Sequence, residues 1–101
     1  MKRYAIVMNI KPGMKEEYKR RHDEIWPEMH DLLTECGFEN YSIWNAGEQL
    51  FQYFEIKDMA KVALILKNSQ VKKRWDEYMK EIIDEEHAIN MEEMFYFDAN
   101  N

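Results

Sequence analysis

The chain has 101 residues, of which 46% are hydrophobic, 14% aromatic and 34% charged. This is enough for one compact domain spanning residues 1–101, with its own core and a well-solvated surface, and too little for two. A net charge of −6 speaks against nucleic acid, whose binding depends on Lys and Arg at phosphates, and against an anionic membrane surface, while a neutral small molecule is compatible with it.

Arg3 to Ile10 is dense in β-formers and reads as a strand, and Lys11-Pro12-Gly13 as a turn. From Met14 the period changes. Tyr18, His22, Ile25, Trp26, Met29, Leu32, Leu33 and Cys36 recur at steps of three and four, the mark of an amphipathic helix. Pro27 interrupts it, so either a kink or a second helix with Pro27 in its first turn is expected. Gly37 suits the helix end. Cys36, the lone cysteine, supports neither an internal disulfide nor a Cys-based zinc site and is expected to be a small packing residue.

Asn40 to Asn45 and Gln49 to Ile56 read as strands joined by Ala46-Gly47-Glu48, an antiparallel hairpin. Asp58 can cap a helix running to about Lys67, and Asn68-Ser69 restarts one through Val71, Trp75, Tyr78, Met79, Ile82 and Ile83. Asp84 to Asn90 is polar and reads as a loop, and Glu92 to Phe97 as the last strand. No apolar run is long enough for a signal peptide or a membrane span, which with the unpaired cysteine predicts a cytoplasmic protein.

The order β-α-β-β-α-β is the ferredoxin-like α+β pattern, with a four-stranded antiparallel sheet. Both alternating sets of side chains on its strands are apolar: Tyr4, Ile6, Met8 and Ile10 against Ala5 and Val7, and Leu50, Phe54 and Ile56 against Phe51 and Tyr53. Such a sheet must be covered on both faces. Helices cover one. The other packs on a second copy, encloses a pocket, or does both.

Several residues could carry chemistry. His22 lies four residues after Tyr18 and four before Trp26, so all three share one helix face. Its ordinary pKa is near neutrality, where one group can both accept and donate a proton. The plainer reading is a half-buried ring bonded to a backbone carbonyl. His30 and His87 lack the spacing of a metal site, and no metal is expected. Most of the aromatics (Trp26, Trp44, Trp75, Tyr18, Tyr41, Tyr53 and Tyr78) should be core, although indole and phenol faces suit sugar C–H patches where several meet in one cavity. Asp76 reads from periodicity alone as a solvated charge. Glu55 would have acid/base character only if it pointed into a closed sheet face. No phosphate loop, serine elbow or CxxC is present, so dinucleotide and nucleotide chemistry are not indicated.

Together these segments resemble the L-rhamnose mutarotase family over nearly the whole chain. The resemblance rests on Val7-Met8; on Glu17, Tyr18, Arg20, Arg21, His22, Ile25, Trp26, Pro27 and Glu28; on Asn40-Tyr41-Ser42-Ile43; on Arg74-Trp75-Asp76-Glu77-Tyr78-Met79; and on Met94-Phe95-Tyr96. It implies a dimeric α+β barrel, in which two ferredoxin-like sheets form a homodimer with one sugar pocket per subunit. It makes His22 the proton donor and Tyr18, Tyr41 and Trp75 sugar-binding residues. Asp76 stands where the family usually has a second tryptophan, and is placed with the substrate-binding residues. Residues 84–90 replace a longer Asn-Pro-Asp-Asn-like loop.

The implied reaction interconverts the anomers of L-rhamnose or a similar 6-deoxy aldose. It opens and recloses the ring without cofactor or metal, with Tyr18, Asp76 or a water as the partner of His22. The alternatives are a non-catalytic sugar-binding dimer and a small monooxygenase on the same barrel.

Overall fold

The computed structural model describes residues 1–100; the side chains of residues 85–87, and with them the reading of His87, lie outside the described residues. The elements run β1 (Lys2–Ile10), α1 (Lys15–Asp23), α2 (Pro27–Cys36), β2 (Glu39–Ala46), β3 (Gln49–Ile56), α3 (Met59–Asn68), α4 (Gln70–Met79) and β4 (Ile83–Met91). The sheet order is β2-β3-β1-β4, and all three pairings are antiparallel. This is the expected ferredoxin-like α+β arrangement, with each helical connection divided in two.

Local chemistry places both divisions. Pro27 is the first residue of α2, where its missing N–H costs no helical hydrogen bond, and Trp26 before it is extended (φ −61°, ψ 138°). Ser69 ends α3 and caps α4, its hydroxyl accepting from the Lys72 N–H at 3.1 Å. Asp58 caps α3 in the same way, accepting from the Lys61 N–H. Gly37 closes α2 at φ 82°, a left-handed conformation that glycine adopts without strain.

The core lies between the sheet and the helices. Ile10, Leu50, Phe54 and Ile56 meet Met29, Leu32 and Cys36 of α2, Val62 of α3, and Trp75 and Met79 of α4, with Ile82 behind them. Cys36 is thus a packing residue. Asn40 breaks the regularity of β2. It is left-handed (φ 50°), and the β2–β3 register shifts between Glu39 and Ser42, so Asn40 and Tyr41 together face one residue of β3. Asparagine tolerates this conformation better than most residues. Its side-chain amide donates to both carboxylate oxygens of Glu55 at 3.2 Å.

The last strand differs from expectation. Residues 84–90, read as a loop, belong to β4, and residues 92–97, read as a strand, form none. Pairing of β4 with β1 has reached Ala5↔Met91 by then. Little of β1 remains beyond Ala5 to pair with Glu92 onward, so the apolar run Met94–Phe97 has no ladder to join. Its side chains are exposed, Met94 by 88% and Phe95 by 82%. Arg3 tethers the segment, donating to Glu93 at 2.7 and 2.9 Å and lying 3.5 Å over the Tyr96 ring. The sheet face away from the helices carries Trp44, Phe51, Val7 and Ile89 in one row across the four strands, and Tyr53, Ala5 and Met91 in the next. Among the described residues no helix is long and apolar enough to cross a membrane.

Arg21 joins the first helix to the fourth. Only 9% exposed, it donates to the Tyr78 carbonyl at the end of α4, to Glu17 at 3.0 Å and to Glu81 at 2.6 Å, and it lies 4.2 Å over the Tyr78 ring. Arg20 and Arg21 together hold the Glu17 carboxyl down at about 2. Arg21→Ala should lower the unfolding free energy by about 2 kcal/mol. Arg21→Lys should restore less than half of it, because an ammonium lacks the planar fork these partners need. Urea denaturation reads both, and an unchanged midpoint in Arg21→Ala would refute the clamp.

Candidate functional site

A cavity of about 270 Å³ lies between the helix-covered face of the sheet and helices α1, α2 and α4. Its volume lies just below the range of about 300–1,000 Å³ typical of small-molecule sites. Met8, Met29, Leu33, Phe38 and Phe54 supply apolar wall, and the polar groups Tyr18, His22, Tyr41, Gln52, Lys72 and Asp76 converge on it beside Trp75. The five residues singled out from sequence, His22, Tyr18, Tyr41, Trp75 and Asp76, therefore border one space. Tyr18 and His22 also border a second cavity of about 380 Å³ toward Lys15, Asp23 and Trp44. The first is the better candidate, because all five of those residues border it, whereas Tyr41, Trp75 and Asp76 do not border the second.

Helix geometry sets the centre of the site. Tyr18 and His22, one turn apart on α1, stack with ring centroids 4.3 Å apart. Trp75 of α4 meets the imidazole edge-on at 5.4 Å. Trp26 does not line the cavity; it packs edge-on against Trp75 at 5.1 Å and lies 5.3 Å from Tyr78, supporting the wall from behind.

His22 Nδ1 lies 3.1 Å from the Tyr18 carbonyl oxygen. A carbonyl can only accept, so the neutral ring carries its proton on Nδ1 and keeps the Nε2 lone pair free. Burial lowers the pKa of His22 below its ordinary value, opposed by the Tyr18 carbonyl and by Asp23. The charged side chains beside it in sequence bond elsewhere, Arg20 to Glu17 and Glu24, Asp23 to Lys19, and Arg21 to the clamp, and Asp23 acts on the imidazole through its charge alone. The ring makes the carbonyl bond of the plain structural reading and borders the cavity as well.

The two tyrosines differ. Tyr18 is buried, and burial raises its pKa far above the usual phenol value. Tyr41 keeps 38% of its surface exposed, yet burial around its hydroxyl pushes it up to about 12. Both phenols hold their protons at neutral pH. The Tyr41 hydroxyl donates to Gln52 Oε1 at 3.0 Å, and Gln52 Nε2 approaches Met8 Sδ at 3.3 Å. On α4, Lys72 Nζ pairs with Asp76 Oδ1.

Gln52 and Lys72 escaped the sequence reading. Gln52 is the polar member of the inward set Leu50, Gln52, Phe54 and Ile56, and that break in an apolar row was the available signal. Lys72 stands four residues before Asp76, an ordinary ion-pair spacing that says nothing by itself about a cavity. Glu55 points to the open face, where Asn40 and the Tyr53 hydroxyl (2.8 Å) bond it. It is not the desolvated acid that an inward orientation would have made. Among the described residues no group of three His, Cys, Asp or Glu side chains could hold a metal ion.

Residues 3–97 match the family model described as L-rhamnose mutarotase. An L-rhamnose mutarotase of Listeria monocytogenes is 39% identical over 95% of this chain and 98% of its own. One of Tolumonas auensis is 44% identical over 82% of this chain and 81% of its own. The crystal structure of an L-rhamnose mutarotase from Formosa agariphila superposes with a TM-score of 0.84 at 30% identity, covering 97% of this chain and 100% of that one.

In a titration of the His22 ring protons by NMR, the midpoint should lie below the ordinary histidine value of about 6.5. A midpoint above that value would mean that burial does not control the imidazole.

Proposed function

The chain belongs to the L-rhamnose mutarotase family and interconverts the α and β anomers of L-rhamnose; we propose that His22 moves the proton in that reaction, within the cavity it shares with Tyr18, Tyr41, Trp75 and Asp76. The observation that carries this reading is the free Nε2 of a half-buried, neutral imidazole in the group of polar residues that borders the cavity.

An anomer opens when O1–H loses its proton and the C1–O5 bond breaks. O1 becomes the aldehyde oxygen and O5 gains a proton. His22 Nε2 takes the O1 proton and becomes imidazolium, while the Tyr18 hydroxyl, kept protonated by burial, donates a hydrogen bond to O5, and a water in contact with solvent relays to O5 a proton from the medium, which it takes back on closure. The aldehyde then rotates about C1–C2. O5–H attacks the other face of C1 and returns its proton, and imidazolium Nε2–H donates to O1. His22 is thus base in opening and proton donor in closing, the second being the role the family resemblance gave it. The reaction already runs in water, so the roughly 10²–10⁴-fold that positioned acid–base groups supply is sufficient. Trp75 offers an indole face to the sugar C–H groups. Tyr41, whose O–H is committed to Gln52, presents its oxygen as an acceptor.

His22→Ala should reduce enzyme-dependent anomer exchange, followed by NMR saturation transfer on L-rhamnose, to the rate in buffer, with the circular dichroism spectrum unchanged. In the unaltered protein the catalysed rate should hold through neutral pH and fall as pH drops through the lowered pKa of His22, because protonation occupies Nε2. Normal exchange in His22→Ala would end the proposed role. Binding without exchange in the unaltered protein would favour a non-catalytic sugar-binding dimer.

The chain acts, in this reading, as a single cytoplasmic domain in a homodimer. Support comes from the open sheet face, where Trp44 is 68% exposed in a row with Phe51, Val7 and Ile89. A face so apolar needs a cover, and a second copy offers the same rows. Sedimentation should show a dimer, and Phe51→Glu, placed at the centre of the face opposite Val7, should yield a monomer. A monomeric unaltered protein would refute the assembly.

A further inference from the structure

In a cavity with so much apolar wall, Lys72 and Asp76 bring an ammonium and a carboxylate side by side. Their side chains are 31% and 43% exposed, which puts the pair at the cavity mouth, one helical turn apart on α4 and flanking Trp75 in the sequence. Asp76 Oδ1 takes the lysine, and Oδ2 has no hydrogen bond among the described residues. The ammonium carries three N–H donors and uses one on the carboxylate. What remains is an acceptor and a donor set next to each other. Two neighbouring hydroxyls of a sugar ring present the complement, since each can donate to the carboxylate or accept from the ammonium.

We propose that Lys72 and Asp76 act as one unit that reads two adjacent ring hydroxyls of the sugar and discriminates against sugars lacking either. The proposal rests on the mutarotase reading of the cavity and adds Lys72 to it. The anomeric hydroxyl belongs to His22 in that reading, so the hydroxyls left for the pair are those of other ring carbons. Selectivity arises from the group left over. A sugar missing one hydroxyl forgoes a charge-assisted hydrogen bond and leaves that charged partner, covered on one side by the bound sugar, incompletely hydrated. Lys72 is a positioning and specificity residue here, and proton transfer stays with His22.

The test is anomer exchange by NMR against sugar concentration, with L-rhamnose and its analogues deoxygenated singly at C2, C3 and C4. It uses the unaltered protein, Lys72→Met, Asp76→Asn and the double variant. In the unaltered protein, two analogues lacking neighbouring hydroxyls should show KM raised about tenfold or more with kcat within about twofold. Lys72→Met should raise KM for L-rhamnose about tenfold and shrink the penalty on those two analogues. The double variant should be no worse than the poorer single one, as expected of a unit. The acid-side pH profile should be unchanged in all variants. Unchanged KM in Lys72→Met, or an undiminished penalty on the analogues, would overturn the proposal. Should the unaltered protein exchange no sugar, the mutarotase mechanism fails instead, and the same panel read as Kd by calorimetry decides the role of the pair.

Discussion

The arrangement depends on one guanidinium. Arg21 is the charged side chain buried where α1 meets the end of α4, and its planar fork serves a backbone carbonyl and two carboxylates at once. α1 is short and, apart from Tyr18, mostly polar on its surface, with little apolar area of its own to hold it down. The clamp fixes its rotation, and the residue after Arg21 is His22. A helix rotated by one residue, about a quarter turn, would carry the imidazole away from Trp75 and the cavity. A largely electrostatic contact on one side of α1 therefore sets the position of the chemistry on the other.

Much of the fold was legible because its breaks are chemical. Pro27 and Ser69 divide the helices for reasons visible in the residues themselves, and the first three strands follow from β-forming runs bounded by turn signals. The last strand was not legible. Asp84 to Asn90 is acidic and polar, whereas Met94 to Phe97 looks like a strand in composition. What decides between them is how much of β1 is left to pair with, a property of the assembled sheet. An aromatic run does not make a strand once its ladder has ended, and a polar segment does when backbone partners are available.

The site was legible in part, for different reasons in different places. Tyr18 and His22 follow from four-residue spacing on one helix. Tyr41 and Trp75 lie on separate elements, so no local period relates them to His22, and only the resemblance joined them. Asp76 looked like a solvated charge and is in fact shared between solvent and cavity, because a residue at a helix flank has both within reach. Gln52 shows how a polar residue enters an apolar row: its amide is occupied by Tyr41 on one side and Met8 on the other, so its place is set by partners that sequence order does not reveal.

The extra residue at Asn40 changes how the edge strand counts. Phe38 and Tyr41 are three apart, and on a regular strand odd spacing sends two side chains to opposite faces. Here both rings lie on the helix-covered side, each 5.3 Å from Phe54 and 5.3 Å from each other. The bulge is a parity correction. It lets one aromatic belong to the edge of the core and the next to the mouth of the cavity, within a single turn of chain. A deletion of one residue there would leave hydrophobic content almost untouched and yet force a choice between them. The strand could keep its wall against Phe54 or its phenol at the cavity, and the shape of the cavity would change without loss of any residue that lines it.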